Sequence, residues 1–219
     1  MFWDWSYTAE ILPILAQASI VTIEATLLGF ALAATLGLAL AIMRMSPTVW
    51  VSWTAVAVIE FVRSTPLLIQ IFFLFFVLPE FGIVLGAMTA GVMALGLHYG
   101  CYCSEVYRAG LDNIPKGQWE ASIALNLSPV TTFRDIIIPQ AIPPVVPALG
   151  NYLVALFKET PLLSAIAVLE LMQTAKILGS EYFRYIEPIT LVGLFFLVFS
   201  LISAALVRRV EAHLNRRGR

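Results

Sequence analysis

Two opposite charges, Glu60 and Arg63, lie inside one apolar stretch of this chain. Residues three apart share a face of any helix that forms there. A guanidinium binds a carboxylate through two parallel hydrogen bonds, and a carboxylate binds an ammonium group. The pair therefore has the chemistry to hold a small zwitterion, with Ser64, Thr65 and Gln70 as further polar lining. The same two charges equally suit a structural ion pair that fixes one helix against a neighbour. Charges within a membrane face a bundle interior or a water path on either reading. The run Arg63-Ser64-Thr65-Pro66-Leu67-Leu68 has an echo in Lys158-Glu159-Thr160-Pro161-Leu162-Leu163. As a parallel internal repeat, this echo places Lys158, Glu159 and Thr160 beside the first group; in a Leu-rich chain so short a match also arises by chance. Other reactive side chains point to packing. Cys101 and Cys103 are two residues apart, so on a helix they face different sides and neither bridge nor build a metal site. His98 reads first as a hydrogen-bonded packing residue. There is no H-E-x-x-H, nucleophile elbow or pair of intramembrane acids, which leaves a membrane-embedded enzyme without support.

The elements that position these residues follow from composition. The 219 residues are 60% hydrophobic and only 12% charged, against roughly 45–50% and about 25% for a soluble globular chain. So little polar surface cannot cover a water-soluble globule, and the chain is an integral membrane protein. A helix needs about 20 apolar residues to cross the hydrocarbon core, and five such stretches are predicted: 19–43, 49–78, 83–104, 136–157 and 188–207. The fold class is all-α and polytopic. Residues 1–18 mix Trp, Tyr and acids as an outer interfacial segment, a retained span rather than a cleaved leader. Pro139, Pro143, Pro144 and Pro147 should bend or interrupt the fourth span. A short amphipathic helix is expected over 161–177, and a basic tail over 211–219. Arg44, Arg108, Lys116, Arg134 and the five arginines from Arg208 to Arg219 outnumber Lys158, Lys176 and Arg184. By the positive-inside rule the N-terminus lies outside and the C-terminus in the cytoplasm.

One polar island, 116–140, interrupts this pattern on the cytoplasmic side. It reads as two short helices with a hinge between them. Pro115 suits a helix start, Trp119 and Ile123 lie one turn apart, and Asn126 tolerates the left-handed conformation that ends helices. Ser128 and Pro129 then read as the cap and first residue of the next helix. The physics leaves two readings open, an ordinary loop or an amphipathic docking element.

The spacing Glu120-Ala121-Ser122, three residues, Asn126, nine residues, Ile136, one residue, Ile138-Pro139 resembles the EAA loop of ABC importer permeases. It departs from that pattern at Ser122, Asn126 and Ile138. The Arg63–Leu68 run, Gly150-Asn151 and the Lys158–Ser164 run are similar to the polar amino acid branch of the same family, and the likeness covers about residues 19–210. It implies a type I ABC importer transmembrane domain, with Glu120, Ala121, Ser122, Asn126 and Leu127 in a coupling helix. It implies as partners a cytoplasmic ATPase dimer, a second permease subunit of the same or related sequence, an extracytoplasmic solute-binding protein and membrane lipid, with no nucleic acid. The chain has no G-x-x-x-x-G-K-[S/T] phosphate loop. ATP and magnesium therefore belong to the ATPase, and this chain is a non-catalytic permease without a cofactor of its own. The solute implied is a polar amino acid or similar zwitterion, extending to ectoine and hydroxyectoine. The rival is an ion-coupled secondary transporter with Glu60 as its proton site, which leaves the island unexplained.

Overall fold

The computed structural model describes residues 3–217, with side chains through Leu214; the last residues of the expected basic tail lie outside it. Among the described residues there is helix and turn and no strand. Nine helices run in order: α1 (Trp5–Arg44), α2 (Val49–Arg63), α3 (Leu67–Phe72), α4 (Ala87–Asp112), α5 (Lys116–Ala124), the single turn α6 (Pro129–Thr131), α7 (Ile138–Glu159), α8 (Leu171–Glu181) and α9 (Ile186–Arg217). Short π- and 3₁₀-helical stretches extend or join several of them.

α1 is longer than the expected first span and takes up most of the N-terminal segment. Asp4 makes this possible by capping the helix, accepting from Ser6 N at 2.9 Å and Tyr7 N at 3.2 Å. Arg184 ties that cap to the start of α9, reaching Asp4 Oδ2 at 3.0 Å and Glu187 Oε1 at 2.6 Å. The Tyr7 N–H bond, aided by Arg184, holds the Asp4 carboxyl below its ordinary range.

α1 and α4 pack along most of their length and form the shaft of the molecule. Without a hydrophobic force between helices in lipid, small residues that admit close backbone approach provide this contact. A Cβ on Gly37 would stand 2.6 Å from the Cys103 Cβ and 2.8 Å from the Gly100 carbonyl oxygen. α4 is helical for 26 residues, yet it is not among the helices whose length and apolarity alone qualify them to cross a membrane. Those are α1, the rod 129–166 and α9, with the bent pair α2 and α3 as a fourth. The reason is position: much of α4 is packed against protein, so its glycines, His98 and tyrosines replace the leucines that a lipid-facing helix needs. Cys101 and Cys103 are buried, free packing residues within it.

The second expected span is not one helix. α2 and the segment Leu67–Phe81 meet at 103°, because Pro66 has no N–H to donate and its ring disfavours helical geometry at Thr65. The prolines of the fourth span do the opposite of what was expected. α7 continues through Pro143, Pro144 and Pro147. Pro139 lies in its first turn, where an N–H has no partner to lose, and a π-helical stretch, Thr132–Ile137, widens the backbone just before it. The expected helix over 161–177 resolves into a 3₁₀ stretch, Thr160–Ile166, and then α8.

Glu170, fully buried, caps α8 by accepting from Met172 N at 2.8 Å and Gln173 N at 2.7 Å. Burial raises its carboxyl from 4.5 to about 7 despite those bonds. The folded protein therefore holds this proton more tightly than the unfolded chain does. Glu170's contribution to stability is fully present below pH 4.5 and is lost as pH rises to about 7. Glu170→Gln should remove that slope from detergent unfolding measured between those pH values; an unchanged slope would contradict the assignment. In the shaft, Gly37→Ala should lower the unfolding free energy by about 1–3 kcal/mol. Gly117→Ala, whose added Cβ meets nothing within 4 Å, should stay within about 1 kcal/mol of wild type.

Candidate functional site

The elbow at residues 63–66 brings polar groups into the bundle. Breaking a helix frees carbonyls, and here side chains take them up. Gln70 Nε2 donates to Val62 O at 2.8 Å, Thr65 O at 3.1 Å and Thr65 Oγ1 at 2.8 Å. Thr65 Oγ1 lies 3.1 Å from Val62 O and 3.2 Å from Phe61 O. On the other side of the Gln70 amide, Oε1 is 3.2 Å from His98 Nδ1. One glutamine thus fixes the bend and fastens it to α4.

A second irregularity faces the first. At Thr160-Pro161 the end of α7 tightens into its 3₁₀ stretch, which stops at Ala167 with φ 57°. Leu67 and Leu163, one from each of the two echoing runs, lie in one buried cluster, and Leu162, the equivalent of Leu67, packs against it. Between the two breaks and α4 is an open cleft of about 500 Å³, lined by residues Arg63 to Leu68, His98, Tyr102, Glu159 and Leu162. Arg63 lies over the Tyr102 ring, 5.2 Å from its centroid. Its nearest acids are Glu60 Oε1 at 3.7 Å and Glu105 Oε1 at 3.9 Å, too far to accept a hydrogen bond. Glu159, next to Tyr99, lines the same cleft, and its Oε2 is buried with no hydrogen-bond partner among the described residues. A guanidinium and a carboxylate lining one cleft complement a molecule carrying both charges.

Of the residues singled out from sequence, the cleft gathers Arg63, Ser64, Thr65 and Glu159. Gln70 supports it from behind. Glu60 is largely exposed and reaches the site only through Arg63. Thr160 is buried, donating to Phe157 O at 2.8 Å. Lys158 leaves the site altogether: it lines a separate groove with Gly193, Phe196 and Ser200 of α9, since neighbours on a helix point about 100° apart. Tyr102 and Glu105 are additions. His98, Tyr102 and Glu105 follow at i, i+4, i+7, a helical stripe visible in the sequence once α4 is taken as an inner helix.

The polar island forms a second candidate site. α5 ends in two bonds, Leu127 N to Ser122 O at 3.0 Å and Asn126 N to Ile123 O at 2.9 Å. With Asn126 at φ 53°, this is a Schellman ending. Ser128 then accepts from Thr131 N at 3.2 Å to open α6. Inward, Trp119 packs edge-on against Phe133 with centroids 5.3 Å apart and joins Ile114, Ile137 and Ala141 in a small core. Ser122 is buried and donates to Gln118 O, while Leu127 is half-buried. Glu120, Ala121 and Asn126 face out among the exposed Ile123, Leu125 and Val130. An amphipathic element with an apolar outer face and one acid is thereby presented away from the bundle.

Comparison with known proteins agrees with this architecture. A probable amino-acid ABC transporter permease of Sinorhizobium fredii (strain NBRC 101917 / NGR234) is 46% identical, with 98% of this chain and 93% of the relative covered. The L-cystine transport system permease of Bacillus subtilis (strain 168) is 33% identical over 92% of this chain and 88% of its own length. Among solved structures, a chain of an amino acid ABC transporter crystallised with histidines is similar at a TM-score of 0.92 and 33% identity, covering 97% of this chain and all of that one. An inward-facing MetNI methionine ABC transporter shares the fold at a TM-score of 0.70 and 20% identity. The model of binding-protein-dependent transport system inner membrane components matches residues 33–216, and the chain belongs to that family.

Proposed function

We propose that this permease passes a polar amino acid, or a zwitterion of similar size, through the cleft between the two helix breaks, driven by ATP hydrolysis on a separate cytoplasmic ATPase. The observation that carries the solute class is that Arg63, with no hydrogen bond among the described residues, and the Glu159 carboxylate line one cleft. The names of the relatives support it, and an ectoine-like solute carries the same two charges. Membership in a binding-protein-dependent family argues against the ion-gradient rival. A binding protein delivers the solute on the outer side, where the N-terminus of α1 lies. A second permease subunit completes the wall that one bundle leaves open.

On this reading α5 is the coupling helix. Glu120, Ala121 and Asn126, with Ile123, Leu125 and Val130 around them, seat in a cleft of the ATPase. Ser122, buried, and Leu127, half-buried just past its end, serve the inner side of this element, and Gln118 ties it to α7 by accepting from Gln140 Nε2 at 3.3 Å. Movement of the ATPase pair passes through α6 and the π-helical stretch into α7, which carries Glu159 at its far end.

The test is the complete importer in liposomes with its ATPase and binding protein, supplied with radiolabelled L-histidine, L-cystine, L-glutamate or ectoine. Glu120→Lys should cut ATP hydrolysis stimulated by loaded binding protein about tenfold or more, the scale for inverting a charge at a docked interface; normal stimulation would sink the coupling role. Arg63→Ala should raise the KM for uptake about 10- to 100-fold, the loss of charge-assisted hydrogen bonds, while the complex still assembles. Unchanged uptake would return Arg63 to a structural ion pair.

A further inference from the structure

One turn along α4 from Tyr102, a single carboxylate receives arginines from three helices. Arg44, the last residue of α1, bonds Glu105 Oε1. Arg108 of α4 donates to Oε2 through Nε at 3.1 Å and Nη2 at 2.9 Å, and its other arm reaches Asp112 at 2.6 Å. Arg63, the last residue of α2, is held differently. Its Nη1 stands 3.9 Å from Glu105 Oε1 and 3.7 Å from Glu60 Oε1, and it makes no hydrogen bond among the described residues. Two arginines are bound to Glu105; the third is only attracted to it.

We propose that Glu105 is a positioning residue for transport: it holds Arg63, and with it the α2–α3 elbow, by an attraction that a solute carboxylate replaces. This rests on the reading of the cleft as the solute's path. A carboxylate entering the cleft makes two short charge-assisted bonds to the Arg63 fork, which Glu105 cannot make from 3.9 Å. Once the solute neutralises Arg63, little draws it to Glu105. Arg44 and Arg108 keep their bonds, so the α1–α4 shaft stays joined while the elbow loses its ionic hold on it and keeps only the Gln70–His98 contact and its apolar packing. The elbow also forms one wall of the cleft through Leu67 and Leu68, so solute occupancy and elbow position are linked through one carboxylate. Coupling of this kind follows from differential contacts in two states. Glu105 therefore competes with the solute for Arg63 and keeps the elbow docked when the cleft is empty.

The two effects separate this role from mere support. Glu105→Gln retains an acceptor for Arg44 and Arg108 but removes the charge that competes for Arg63. In the reconstituted complex, with the solute that the wild type imports, it should tighten apparent solute affinity about two- to five-fold, the range for a partly exposed ion pair. It should also raise ATP hydrolysis in the absence of solute. Asp112→Asn, which loosens Arg108 without touching Arg63, should change neither. If Glu105→Gln does not assemble, Glu105→Asp, which withdraws the charge by one methylene, should shift both quantities in the same direction. Unchanged or weaker affinity, or unchanged solute-free hydrolysis, in an assembled complex overturns the proposal. Failure of the wild-type complex to import any of the four solutes would instead overturn the underlying reading of the cleft, and this proposal with it.

Discussion

In hydrocarbon no backbone N–H or C=O can be left without a partner, so a membrane helix breaks only where something else takes up its freed groups. That constraint organises this molecule. Pro66 breaks the second helix, and Gln70 and Thr65 take over the carbonyls around it. The same glutamine reaches His98 on α4, so the repair of the break is also its attachment to the shaft. A break repaired by polar side chains is necessarily a polar place. Arg63 sits there because the elbow is already the least apolar point of the bundle, and the second break brings Glu159 into the same cleft.

The shaft has the opposite character. Along α1 and α4, packing at Gly37 leaves no room for even a methyl group beside Cys103 and the Gly100 carbonyl. Rigid close packing there and a helix break beside it are complementary. An elbow can serve as a moving part only if the surface it moves against stays put, and the Arg44–Glu105–Arg108 cluster fixes α1 to α4 at the level where the elbow docks.

Much of this was legible from residue types. The Asn126 turn, the Ser128 cap and the start of α5 at Pro115 follow from local rules that need no tertiary information, and the structure shows each of them. The apolar stretches located the helices but not their ends or bends. The run 49–78 read as one span because hydropathy averages over Pro66, whereas the geometry turns on that residue alone. The four prolines of the fourth span misled for the converse reason: Pro139 sits in the first turn, where a missing N–H costs little, and α7 stays helical through Pro143, Pro144 and Pro147 in its interior despite the bonds they cannot donate. Lys158 and Glu159 could not be separated by an echo of the Arg63 run, because adjacent helical residues face different neighbours and only packing against α9 decides which looks into the cleft. Glu105 lies just past the expected end of the third span, and while Arg108 is its i+3 neighbour on the helix, Arg44 and Arg63 come to it only through the fold.

The two candidate sites lie on one continuous rod, and that connection is what a coupled machine requires. From Pro129 to Ile166 the chain stays helical, beginning beside α5 and ending past Glu159. A rod with a flexible joint would absorb a displacement at one end, whereas this one is continuous through its prolines. Its irregular stretches, π-helical at Thr132–Ile137 and 3₁₀ at Thr160–Ile166, change the helical pitch without ending the helix. A turn of the rod at the α5 end would therefore reorient Glu159 against Arg63. The same motion that an ATPase imposes on α5 would then, on the proposed reading, reach the Glu159 carboxylate, which lines the cleft with Arg63. On the proposed reading, the solute is held by two groups on elements that move separately, α7 and the elbow, and release needs only that the distance between them change.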